Sequence, residues 1–194
     1  MSGVRVRIAL ILILVLLAPD AGMAQHLKAR VEGDRLRVSG PQVRFLLPPA
    51  VERLRNGATV TYALQLTLRN ERLGHVVSRI TERFRLSYDL WEEKYAVTRL
   101  ASPTRSASNL TANGLESWCL DNLSLPIGGL NQSRQFWITL EYETEEPKDT
   151  SKTDSSSLTL SSLIDIFSRK PRDEQQVRGF DEIGPVRLDD LRKK

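Results

Sequence analysis

Val60-Thr61-Tyr62-Ala63-Leu64-Gln65-Leu66-Thr67-Leu68-Arg69 carries apolar side chains at Val60, Tyr62, Leu64, Leu66 and Leu68, one at every second position. Thr61, Gln65, Thr67 and Arg69 stand between them. Successive side chains of a strand face opposite sides, so this segment reads as a half-buried strand with one face on a core. The same period continues through Ile80, Phe84, Leu86 and Tyr88, set against Arg79, Thr81, Arg83, Arg85 and Ser87. Glu82 interrupts that inward row and implies a bulge, an edge or a polar contact. Phe136, Ile138, Leu140 and Tyr142 form a third alternating run.

Working outward, Tyr95, Val97 and Arg99 read as the return arm of a hairpin turning at Trp91-Glu92-Glu93-Lys94. Leu27–Val31 and Arg35–Ser39 flank Glu32-Gly33-Asp34, a glycine-containing hairpin connection. Val43–Leu47 is expected as one more strand ahead of Pro48-Pro49. The predicted fold is all-β: an antiparallel β-sandwich or curled sheet with two or three short helices.

The first helix is expected at Pro49–Asn56, with proline in its first turn and Gly57 ending it. Asn113 and Glu116 resemble a capping pair for a second, which places Leu115, Trp118 and Cys119 on one face. Glu143–Ser157 is polar, and its 146–157 portion reads as a flexible linker. Leu160, Leu163, Ile164 and Phe167 then follow helical spacing, with Arg169-Lys170 and Pro171 at the end. This amphipathic segment is a candidate interaction surface, and residues 158–194 read as helix plus docking tail.

Composition narrows the class. Of 194 residues, 40% are apolar and 27% charged, which excludes a disordered polyelectrolyte and a multi-span membrane protein. A single cysteine excludes an internal disulfide framework and a cysteine-built zinc site. Arg5 and Arg7 precede the apolar run Ile8–Ala18, which as a helix would rise roughly 16 Å, half the hydrocarbon thickness of a bilayer. Gly22-Met23-Ala24 puts small residues before Gln25, so residues 1–24 read as a cleaved signal peptide and the protein as exported. The globular domain is then expected at 25–145.

Charge is uneven: Lys28–Arg105 carries net +7 and Ser106–Lys194 net −4. Arg79, Arg83 and Arg85 share the polar face of one strand, and Glu141 and Glu143, with Trp137, that of another. If the two strands are neighbours, the arginines meet carboxylates across the sheet. The functional alternative is an arginine face for anions, such as lipid phosphates or an acidic partner. Nucleic acid fits poorly, because no aromatics interleave the arginines. His26 and His75 lack companions at metal-ligand spacing, and no cofactor motif is present in the sequence. The one cluster open to acid/base or sugar chemistry is Asp89, Trp91, Glu92 and Glu93 beside Tyr88 and Tyr95. Cys119 is expected to be an inert core thiol.

The run Leu47-Pro48-Pro49 to Gly57, the long strand after it, Arg85-Leu86-Ser87-Tyr88-Asp89-Leu90 and the Tyr95 return strand resemble an exported bacterial family (domain of unknown function forty-three ninety). The resemblance spans roughly residues 27–145. Glu82 and the polar insert at 143–157 depart from its pattern. It implies an envelope protein of Gram-negative type, without an assigned activity and without functional residues to carry over. The expected function is therefore a non-enzymatic binding module for an envelope protein or a membrane surface. A carbohydrate-directed protein using Asp89, Glu92, Glu93 and Trp91 is the alternative.

Overall fold

Ten residues of unbroken alternation make Val60–Arg69 (β3) the inner strand of a large sheet. It pairs on one side with Val76–Asp89 (β4) and on the other with Gln135–Glu145 (β8), both antiparallel. The computed structural model describes residues 27–145 and 177–192. Within them, Lys94–Arg99 (β5) pairs with β4, and Arg105–Leu110 (β6) extends the sheet on that side. Arg178–Arg187 (β9) extends it on the other, giving the order β6-β5-β4-β3-β8-β9. A second, three-stranded sheet is formed by Lys28–Glu32 (β1), Arg35–Ser39 (β2) and Ser124–Pro126 (β7). Two sheets packed around one core form the all-β sandwich.

The helices Pro48–Arg55 (α1) and Ala112–Asp121 (α2) lie on the inner face of the large sheet, and α2 also meets the small one. α1 packs on β3 and β4, and α2 on β2, β5 and β6. The apolar row of β3 is fully buried there with Phe84, Leu86, Ile138 and Leu140, opposite Leu36, Leu115, Leu120 and Leu125. Burial of each such side chain stabilises by roughly 1.5–3 kcal/mol. Glu82, the interruption of the inward row, is a polar contact. Its carboxylate accepts from Arg99 Nε at 3.0 Å and Nη2 at 2.6 Å inside the core. Those bonds hold the Arg99 guanidinium above its ordinary pKa.

Three expectations are corrected. Val43–Leu47 is not a strand but an extended strap linking the small sheet to α1. Its amides bond to a side chain instead of a ladder: Glu116 Oε1 accepts from Phe45 N at 2.9 Å and Leu46 N at 3.0 Å. Glu116 therefore caps no helix; Thr111 is the α2 N-cap, its hydroxyl accepting from Gly114 N at 3.1 Å. Finally, the sheet does not end at residue 145. The tail residues 178–187 form its outer strand, and Val177, Ile183 and Leu188 are buried in the core. The helix expected at 158–167, the linker at 146–157 and the signal segment 1–24 lie outside the described residues.

Both edges of the large sheet are irregular, which discourages further strand pairing. β6 meets β5 across a register shift and contains Asn109 at φ 60°. β9 meets β8 across another, where Gly184 packs so close to Trp137 that a Cβ would come within 2.7 Å of its ring.

Ile183→Ala should lower unfolding free energy in urea by about 2–5 kcal/mol, and removing 178–192 should unfold the domain by circular dichroism. Glu116→Ala, which strands two amides, should cost about 3 kcal/mol in the same titration, and Glu116→Gln, which keeps an acceptor, distinctly less.

Candidate functional site

The outer face of the large sheet is built from the polar positions of the alternation, so its side chains lie in rungs across the strands. One rung is Thr81, Gln65, Glu141 and Phe180; the next is Arg83, Ala63, Glu143 and Arg178; a third is Arg85, Thr61 and Glu145. On the other side of the first lies Arg79, Thr67, Thr139 and Glu182. Arg79, Arg83 and Arg85 thus share this face with Glu141 and Glu143, as the alternation requires.

The strands bearing them are not neighbours, because β3 separates β4 from β8. Arg83 nevertheless reaches over small residues at Ala63 and Thr61 to Glu145. Its Nε donates to Glu145 Oε1 at 2.7 Å and Oε2 at 2.9 Å, and its Nη2 to Oε2 as well. These bonds and the Glu145 charge raise the Arg83 pKa above its ordinary value. Glu141 instead accepts from Gln65 Nε2, and Gln65 Oε1 accepts from Thr81 at 3.3 Å. Glu143 lies 3.8 Å from Arg178. Arg79 and Arg85 are exposed and, among the described residues, their side chains make no hydrogen bond or ion pair. Of the three arginines, one is neutralised within the sheet and two stand open to solvent.

Ala63, a small side chain in a row of long ones, leaves a concavity of about 690 Å³ bordered by Gln65, Thr81, Glu141, Glu143 and Phe180. Phe180 is 70% exposed at its rim. Phe180 falls in the expected docking tail, but its place on a strand is hidden because β9 alternates weakly, with Gly179 and Asp181 at inward positions beside Val177 and Ile183.

The Asp89, Trp91, Glu92, Glu93 cluster is the tip of the β4–β5 hairpin. Asp89 Oδ1 accepts from Trp91 N at 2.8 Å and Glu92 N at 3.1 Å, so this carboxylate closes the turn. Trp91 projects 96% exposed, and Tyr88 and Tyr95 pack together beneath, ring centroids 4.8 Å apart. A smaller concavity of about 330 Å³ lies beside the tip, lined by Asp89, Glu92, Lys94, Tyr95 and Asn109. His75 is exposed in the β3–β4 turn, and His26 and the candidates Leu160, Leu163, Ile164 and Phe167 lie outside the described residues. No group of three or more metal-ligating side chains occurs among the described residues, and none of their helices is long and apolar enough to cross a membrane.

No family model, curated protein or solved structure matches the chain.

Cys119 faces the core from α2. Burial, reinforced by the Glu116 carboxylate, pushes its thiol well above the ordinary 9.0, and the Tyr62 phenol moves above 10.0 for the same two reasons. The folded chain therefore keeps protons that the unfolded chain releases. Stability should be whole below pH 9.0 and fall as pH rises through and beyond 10.0. Urea midpoints across that range check this, with Cys119→Ala flattening the thiol's share. At neutral pH, Cys119 should react with a thiol reagent only after unfolding.

Proposed function

We propose that this chain is an exported, non-enzymatic envelope protein, a β-rich module that binds a protein or membrane partner through the outer face of its large sheet. The observation that carries this reading is the pair of open arginines. Arg83 shows that the sheet can neutralise a guanidinium internally, yet Arg79 and Arg85 on the same face have no acidic partner among the described residues and are available to an external anion. Coulombic recognition of this kind is salt-sensitive and speeds encounter. The resemblance to an exported bacterial family agrees with an envelope setting.

A carbohydrate-directed protein, binding protein or hydrolase, is the second reading, favoured by Trp91 standing exposed beside the concavity of Asp89, Glu92 and Tyr95. Affinity capture of the tagged chain from envelope fractions, with and without detergent, separates the two. Arg79→Glu with Arg85→Glu should abolish retention of the partner, whereas Glu92→Gln with Glu93→Gln should leave it unchanged. Retention lost only in the glutamine pair, together with altered behaviour towards an envelope-glycan panel, would instead establish the second reading.

A further inference from the structure

Exposed apolar side chains gather at the two ends of β4 and in the turns beyond them, about 45 Å apart for a strand of this length. The two ends differ in charge. At the β4–β5 turn, Leu90 and Trp91 sit among Asp89, Glu92 and Glu93, with Lys94 as the one cation of the turn. At the β3–β4 turn, Leu73 is 98% exposed with Val76 and Val77 behind it, and Arg69, Arg72 and Arg79 in and beside the turn outnumber its two acids, Glu71 and the Glu182 that Arg72 bonds.

This second turn is braced. Gly74 N donates to Glu71 O at 3.1 Å, and Arg69 Nη1 to Gly74 O at 3.3 Å. The loop closes so tightly that a Cβ on Gly74 would lie 2.5 Å from Asn70 Oδ1 and 2.7 Å from Glu71 Cβ. Arg72 folds back, its Nε donating to Glu182 at 3.0 Å and its guanidinium lying 5.4 Å from the centre of the Trp137 ring. Val77 is the extra residue of a bulge, since Leu68 pairs with Ser78 and Arg69 with Val76. The turn holds a leucine outward on a rigid support, with Arg79, whose side chain has no partner among the described residues, two positions beyond the bulge.

We propose that this turn is an insertion point for an anionic lipid bilayer. Leu73 enters the interfacial region with Val76 and Val77 at its margin, while Arg79 approaches the lipid phosphates and Arg69 and Arg72, held by Gly74 and Glu182, brace the turn. Burying an apolar tip drives the contact, arginines can keep their charge at headgroup level, and anionic lipid adds attraction within a Debye length. The acidic Trp91 tip, several Debye lengths away, is then held off the same surface. The inference rests on the reading that the arginine-bearing face meets the partner, and it names that partner.

The test is co-sedimentation of the chain from Gln25 onward with phosphatidylcholine vesicles, with and without about 30% phosphatidylglycerol. Binding is expected to the anionic vesicles and to fall several-fold between about 0.1 and 0.5 M salt. Leu73→Glu should weaken it roughly tenfold or more and Arg79→Glu several-fold, while Trp91→Ala leaves it unchanged, each variant retaining its circular dichroism. No binding to anionic vesicles, equal binding by Leu73→Glu, or loss with Trp91→Ala would overturn the proposal. If vesicle binding fails while envelope capture still depends on Arg79 and Arg85, the partner is a protein. The lipid inference then falls and the reading of the face stands.

Discussion

One buried carboxylate organises the inner layer of this sandwich. Glu116 is 2% exposed, and a charge so placed is tolerated only when its oxygens are fully engaged. Oε1 takes two backbone amides of the strap and Oε2 takes Arg44 Nη1 at 3.1 Å. The strap in return presents its carbonyls to the sheet: Tyr62 donates to Phe45 O at 2.8 Å and Tyr142 to Arg44 O at 3.3 Å. Helix α2, strands β3 and β8, and the crossing between the sheets therefore meet at one short segment. Phe45, fully buried and edge-on to Tyr62 at 5.3 Å, fills the apolar space this junction encloses.

Because the inner layer is taken up by the small sheet, two helices and this strap, the outer face of the large sheet is left polar and uncovered among the described residues. Its chemistry follows from strand order. With β3 between β4 and β8, arginines and glutamates of the flanking strands are two inter-strand spacings apart, about 9.5 Å. Only a long side chain crossing small residues can close that gap, and Arg83 over Ala63 does so. Arg79 lies across from Thr67 and Thr139, and its rung offers no acid nearer than Glu182 on β9, already bonded to Arg72. Arg85 lies in the rung of Glu145, which Arg83 occupies. The openness of these two arginines is thus a property of the topology.

Much of the architecture is legible in local pattern, because strands buried on one face must alternate. β3, β4, β5, β8 and the first hairpin follow directly, and Glu82 announces the polar contact that Arg99 supplies. At the strap, local pattern no longer determines structure. Val43–Leu47 has the composition of a strand, but its amides are satisfied by a glutamate some seventy positions away, and no local rule contains that contact. The capping pair fails for the same reason, since the glutamate that would close the cap is employed elsewhere. β6, β7 and β9 are short, serine-rich or glycine-interrupted, so the period that reveals the central strands is absent where the edges need little apolar surface. The arginines of the site were legible as a face, but which of them remain open depended on strand order, and Phe180 depended on a strand that composition hides.

The two charge halves of the chain also acquire a different meaning in three dimensions. The positive half supplies β1 to β5 and the negative half most of the rest, yet β8 and β9 of the negative half extend the sheet directly from β3. Segregation along the chain becomes interleaving across the sheet, and much of the apparent dipole is consumed by pairs such as Arg83–Glu145, Arg72–Glu182 and Arg44–Glu116. Among the described residues an imbalance remains along β4, between an end flanked by Arg69 and Arg79 and a turn carrying Asp89, Glu92 and Glu93. A long antiparallel strand with opposite charge at its two ends gives the molecule an axis, and an axis fixes which end approaches a charged surface.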